Sequence, residues 1–168
     1  GTQKKMIKMA STARYEPEPA NDPVIQLAGL ELRRIAMTLK SPFETSFGLT
    51  TERRILLIRA IDRTDVSGYG ECTAMELPFY NSETVDTAWA IIKNCIAPML
   101  AAASVSRADQ VSASLAAIHG NRMAIAAVET AVWDLEARRQ NVPLWQLLGG
   151  TRAEIDCGVS IGIQESVP

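Results

Sequence analysis

Few side chains in this sequence could do chemistry, and their spacing narrows the choice further. The chain has a single histidine, His119, so a Ser-His-Asp triad or a histidine metal cluster has almost nothing to draw on. Cys72, Cys95 and Cys157 are odd in number, far apart and without a C-x-x-C pair. A disulfide framework or a structural zinc site needs tighter clustering, so these read as free, mostly buried thiols of a reducing cytoplasm. Glu71 and Asp134 are the tempting acids, and ion pairing or capping is the expectation for both. His119, just ahead of Gly120-Asn121, is expected to complement a helix end. On residue type alone, apolar loop residues such as Phe43 and Met75 are expected to pack inward.

The elements that must position these residues follow from pattern. A length of 168 residues with 47% hydrophobic and 21% charged side chains is ordinary for a water-soluble globular domain. A net charge of -2, with Lys and Arg thinly spread, leaves no electrostatic footprint for nucleic acid. No apolar run reaches the roughly 18 residues of a membrane span. Residues 1–28 open with Lys4, Lys5 and Lys8 and continue into Glu16-Pro17-Glu18-Pro19. Charged, Pro-rich and aperiodic, they are expected to form a flexible tail.

From Gly29 to Ala74 the pattern predicts three strands. The first runs from Leu30 to Leu39 and is stopped by Ser41-Pro42, because proline cannot donate to a ladder. Arg54–Ile61 makes the second, Asp62–Asp65 a polar turn, and Val66–Thr73 the third. Short connections favour an antiparallel meander. Gly68 and Gly70, flanking Tyr69, mark a bulge or a close backbone approach.

After Pro78 the apolar period lengthens to that of a helix. Ser82-Glu83 is expected to open a helix to about Leu100, with Val85, Trp89, Ile92 and Ile96 buried and a kink near Pro98. Ser106-Arg107-Ala108-Asp109 resembles a capping box for a second helix ending near Gly120. Asn121–Gln140 is the clearest helix, with Ala124, Val128, Ala131 and Leu135 on a narrow, small-residue face that lets another backbone come close. Glu136, Arg138 and Arg139 are expected to face water. Asn141-Val142-Pro143 ends it, and a further turn closes on Gly149-Gly150. Ile155–Ile163 then reads as a strand without a partner.

A three-stranded meander, a helical bundle and a strand opening a new unit resemble, in that order, the N-terminal capping domain of the enolase superfamily. Specific strings carry the likeness: Pro42-Phe43-Glu44-Thr45-Ser46-Phe47-Gly48, Gly68-Tyr69-Gly70-Glu71-Cys72 and Met75-Glu76-Leu77-Pro78-Phe79-Tyr80. Gly120-Asn121-Arg122-Met123-Ala124, Ala131-Val132-Trp133-Asp134-Leu135, Leu147-Leu148-Gly149-Gly150 and Gly158-Val159-Ser160-Ile161-Gly162-Ile163 follow in the right order. Together they are similar to the o-succinylbenzoate synthase and N-acylamino acid racemase family.

The resemblance implies an α+β capping domain over 29–150 and the start of a (β/α) barrel over 151–168. It implies proton abstraction α to a carboxylate with a divalent metal, Mg²⁺ by family, on a small-molecule carboxylate substrate in a cytoplasmic homo-oligomer. The family's lysine base and acidic metal ligands lie on barrel strands. Here the last lysine is Lys93 and only 18 residues follow Gly150, whereas a barrel needs about 200 or more. No catalytic or metal-ligating residue is therefore expected in this chain.

What the resemblance does carry over is the substrate-facing part of the cap. Phe43 on the first loop and Met75 on the second match pocket-lining positions, Tyr80 joins them, and Ser160 matches a position at the mouth of the first barrel strand. The alternative is a non-catalytic cap acting alone as an interaction or regulatory module.

Overall fold

The structure, a computed structural model, describes residues 3–8, 24–46 and 48–160. Strands β1 (Gln3–Lys8), β2 (Leu27–Thr45), β3 (Gly48–Asp62) and β4 (Ser67–Cys72) form one antiparallel sheet in the order β1-β2-β3-β4. The expected meander is β2-β3-β4. The fourth strand is a correction to the flexible-tail expectation for residues 1–28, since residues 3–8 pair with Gly29–Arg34. Their anchor is electrostatic: Lys4 reaches the carboxylate of Glu31 at 3.3 Å, where Arg33 and Arg59 also converge. Residues 9–23 of that tail lie outside the described residues.

Proline does not end β2. Thr38 pairs with Glu52 and Phe43 with Thr50, so Leu39–Pro42 oppose a single residue and the ladder resumes beyond them. The bulge takes up the N–H that Pro42 lacks and lets the β2–β3 hairpin run on to its tip. At the other end of β3, Asp62 accepts from the backbone N–H and hydroxyl of Thr64 and from the backbone N–H of Gln26 at 2.7 Å, building the polar turn expected there.

The helices pack on one face of this sheet. Helix α1 (Val85–Ile91) continues through a π-helical turn (Ile92–Ile96) into α2 (Ala97–Ala103). Thr84 caps it, exchanging hydrogen bonds with Thr87 in a capping box, so the cap lies two residues beyond the expected Ser82. Pro98 does not terminate the helix: it falls in the first turn of α2, where the wide π turn has already broken the regular bonding pattern. Val85, Ile92 and Ile96 are buried as expected, and Trp89 is half-buried beneath the guanidinium of Arg34.

Helix α3 (Gln110–Ser114) is shorter than expected, and Gln110 rather than Asp109 reaches back to the backbone N–H groups of Ser106 and Arg107. Asp109 instead pairs with Arg107 at 2.8 Å.

Helix α4 (Arg122–Gln140) is the centre of the domain. Ala124, Val128, Ala131 and Leu135 are fully buried and lie on β4. A Cβ on Gly68 would overlap the backbone of Leu135 and Ala131, and one on Gly70 the carbonyl of Ala127. Two glycines facing an alanine-rich stripe thus bring strand and helix backbones together, which is the close approach the spacing foretold.

Two residues of α4 assigned to solvent instead turn inward, Glu136 buried and Arg139 partly so. Glu136 caps α3's approach by accepting from the N–H of Ala108 at 2.6 Å, and Arg139 pairs with buried Asp62 at 2.6 Å. Helix α5 (Leu144–Leu147) closes on Gly149, whose φ of +78° only glycine adopts freely.

Residues 155–160 form no strand and are exposed, a correction to the expected Ile155–Ile163 strand; residues 161–163 lie outside the described ones. They pair with nothing in the meander. A lone extended segment has no ladder in which to be a strand.

Candidate functional site

The β2–β3 hairpin and the segment between β4 and α1 meet beside the N-terminus of α4. Phe43 stands just past the bulge, opposite Thr50, and is 59% exposed. Met75 is fixed by its backbone: its carbonyl accepts from the N–H of Val85 at 3.0 Å, tying the segment's start to the start of α1. Between these ties the chain loops out through Leu77, Phe79 and Tyr80, all strongly exposed.

Phe43, Met75 and Tyr80 line one cleft of about 430 Å³. Sequence reasoning missed Leu49, Phe79 and Met123, which complete its apolar wall. Leu49 and Phe79 could have been flagged as large apolar residues beside turn-forming Gly48 and Pro78. Met123 could not, because its place depends on where α4 begins. A wider hollow of about 900 Å³ shares Phe43, Leu49, Met75 and Phe79 and extends toward the base of the hairpin. Four cations line it: Arg34 pairs with Asp86 at 2.6 Å and Arg54 with Glu76 at 3.6 Å, Arg53 donates to the carbonyl of Thr73 at 3.1 Å, and Lys40 joins them. Ser160 is not part of either hollow; it lies in the exposed segment after α5.

The floor of the smaller cleft is knotted together. Glu83, 8% exposed, accepts from the N–H of Met123 at 2.9 Å and of Ala124 at 3.0 Å. Its own N–H donates to Asn81 Oδ1 at 2.8 Å, and Asn81 Nδ2 donates to Met123 Sδ at 3.3 Å. Glu83 therefore caps α4 across 40 residues of sequence, rather than acting as the first-turn acid expected of it beside α1.

Among the described residues no group of three or more His, Cys, Asp or Glu could hold a metal ion. The buried acids are already engaged: Glu31 with Lys4, Asp62 with Arg139, Glu83 with the first-turn N–H groups of α4 and Glu136 with the N–H of Ala108 in the turn before α3. Asp134 accepts from the N–H of Tyr69 and pairs with Arg138 at 2.8 Å, the structural role expected of it. Glu71 is exposed on β4 and His119 lies exposed ahead of α4. The described residues do not fit a divalent metal, and no step is derived through one. What the cleft can do is surround an apolar group and keep water from it.

Residues 28–149 match the family described as Mandelate racemase / muconate lactonizing enzyme, N-terminal domain. The chain belongs to that family. Strand β1 lies outside the matched segment. An o-succinylbenzoate synthase of Geobacillus stearothermophilus is 45% identical over 136 residues, 81% of this chain and 36% of the relative. An N-succinylamino acid racemase of Amycolatopsis sp. is 41% identical over 144 residues, 86% of this chain and 39% of the relative. The solved structure of an enolase-superfamily member from Listeria innocua superposes with a TM-score of 0.77 at 35% identity, over 85% of this chain and 38% of that one.

This chain is thus an enolase-superfamily capping domain, and it spans little more than a third of the length of the curated relatives it matches. Among the described residues no helix is long and apolar enough to cross a membrane.

Proposed function

We propose that this capping domain closes over the substrate of a metal-dependent enzyme of the o-succinylbenzoate synthase and N-acylamino acid racemase type. One observation carries the reading. Phe43 and Met75, 32 positions apart in the sequence, converge with Tyr80 on one largely apolar cleft. Exposed aromatic and thioether side chains held by a bulged hairpin and a two-point loop form a surface built to cover something.

In this reading the cleft holds the variable acyl or amino-acid part of a small carboxylate. A barrel joined to the cap would supply the base that takes the proton α to that carboxylate and the acidic residues that hold Mg²⁺, whose chemistry would be to offset the negative charge developed there. Ser160 orients a polar substrate group once its segment is paired into that barrel. The capping domain by itself turns nothing over.

The test is kinetic. In the enzyme that carries this chain as its N-terminal part, Phe43→Ala and Met75→Ala should raise KM about tenfold or more for o-succinylbenzoate formation or N-succinylamino acid racemisation. One lost apolar contact is worth about that much. Unchanged KM and kcat in both variants would refute the cleft's role. Mg²⁺-dependent turnover by residues 1–168 alone would refute the division of labour.

A further inference from the structure

The cleft opens into the wider hollow through Phe43, Leu49, Thr50, Met75 and Phe79, which line both, and the two spaces differ in charge. Among the described residues the cleft's own lining carries no cation. Its one carboxylate, Glu83, is spent on the N–H groups of Met123 and Ala124. The hollow sets four cations, Arg34, Lys40, Arg53 and Arg54, against three acids, Glu52, Glu76 and Asp86. Pairing divides the cations. Arg54 reaches Glu52 at 3.7 Å and Glu76 at 3.6 Å, and Arg34 reaches Asp86 at 2.6 Å, so every acid of the hollow is taken up. Lys40 and Arg53 are left with no carboxylate partner among the described residues.

Arg53 stands where hollow and cleft meet. It lines the hollow, and its Nη2 donates to the carbonyl of Thr73, a residue of the cleft wall, at 3.1 Å. That bond fixes the planar head beside the cleft and leaves its remaining N–H groups open to an acceptor. Lys40 lies in the bulge of β2, opposite Thr51 and so two positions along β3 from Arg53. The bulge that carries β2 past Pro42 thus also brings a lysine into the lining of the same hollow. An unpaired lysine on a surface is ordinary. An arginine tied to the wall of an apolar cleft, with the acids around it already paired, is not.

We infer that Lys40 and Arg53 seat a carboxylate at the far end of the substrate's variable group, whose apolar stem lies along Phe43 and Met75. This rests on the reading that the cleft receives the variable group, and adds the chemistry in which that group ends. A guanidinium holds a carboxylate on parallel N–H bonds, and an ammonium adds a compact charge. A succinyl group has the same order of polarity as the two spaces: a short apolar stem, then an anion.

The experiment compares N-succinylphenylalanine with its terminal amide, N-succinamylphenylalanine, which match in size and differ in charge. Dissociation constants are measured by calorimetry on the enzyme that carries this chain as its N-terminal part. It should prefer the succinyl compound, and Lys40→Gln and Arg53→Gln should each cut that preference about tenfold. A merely structural role for Arg53 at Thr73 would weaken both compounds alike and leave the ratio in place. Lys40 makes no ion pair or hydrogen bond among the described residues, so Lys40→Gln keeps the test open should Arg53→Gln fold poorly. In the unaltered enzyme the preference should narrow as salt rises from about 0.05 to about 0.5 M, because screening weakens the attraction.

A preference absent from the parent, or unmoved by both substitutions, overturns the inference. If Phe43→Ala still weakens both compounds, the cleft reading outlives that failure. If neither compound binds, or Phe43→Ala and Met75→Ala leave both unchanged, the two fall together. Inorganic phosphate displacing both compounds alike, with no preference between them, would make the hollow a seat for free anions and overturn the inference as well.

Discussion

The body of α4 and its N-terminus are built on opposite terms. Where the helix crosses Gly68 and Gly70 of β4 there is no room for a methyl group, because the backbone of Ala127, Ala131 and Leu135 fills the space. At its N-terminus it borders a cleft walled by exposed side chains that touch little. The first region tolerates no change of volume and makes the domain a rigid platform; the second has surface to spare and can be re-cut to suit a ligand. In the reading proposed above, stability and specificity are kept on separate residues, and Glu83 and Met123 stand where the two regions meet.

Substitutions can break this contrast or sharpen it. The largest effect should come from Gly68→Ala, whose methyl would overlap the backbone of Ala131 and Leu135. Neither segment can yield without lifting the helix, so a loss beyond about 4 kcal/mol and no cooperative unfolding transition are expected in denaturant titrations. Next is Asp62→Ala, which takes the carboxylate from Arg139, whose side chain is 8% exposed, and the acceptor from the N–H groups of Gln26 and Thr64. Breaking a buried pair from one side costs about 3–5 kcal/mol, again readable by chemical denaturation.

A smaller effect belongs to the edge strand β1. Burial pushes the Glu31 carboxyl upward, but hydrogen bonds from Arg33 and Lys4 outweigh it and hold the group below its ordinary value of 4.5. A carboxyl with a depressed folded value stabilises fully above the unfolded value, and that contribution disappears as pH falls through the folded one. Lys4→Ala should therefore cost up to about 1 kcal/mol at neutral pH, with half-exposed Lys4 keeping the figure low. The deficit should shrink as pH is lowered below 4.5, which stability curves at several pH values would show. The smallest effect should come from Phe43→Ala, within about 0.5 kcal/mol of the parent in stability, because so exposed a ring buries little on folding. A large loss there would mean the cleft is part of the core after all.

The platform was largely legible in the sequence, because its elements announce themselves by period. The helical stripe Ala124, Val128, Ala131 and Leu135 and the Gly68–Gly70 pair both pointed to a close-packed contact that the structure contains. Polar residues were read less well. Glu83, Glu136 and Arg139 each satisfy a partner 28 to 77 positions away. Local pattern assigns such residues to their own element or to water, since nothing in a short window marks the distant N–H or carboxylate they will meet. Strand β1 escaped for the same reason: six residues rich in lysine form a strand only because β2 offers an edge and Glu31 a counter-charge.

The cleft was legible through resemblance alone. Phe43, Met75 and Tyr80 carry no periodic signal, and residue type by itself would have placed Phe43 and Met75 inside. Ser160, carried over in the same way, is not joined to them.

The π turn in the first long helix has a metrical consequence. Val85, Ala88, Ile92, Ile96 and Leu100 are all buried, which asks the helix to place a residue inward at three successive steps of four. At about 3.6 residues per turn each such step overshoots by about 40°, and three would swing Leu100 roughly a third of the way round the barrel of the helix. One slack coil at 92–96 resets the phase, letting two ordinary rulers laid end to end measure the same wall. Removing a single residue from that coil should leave a good helix whose second half faces the wrong way.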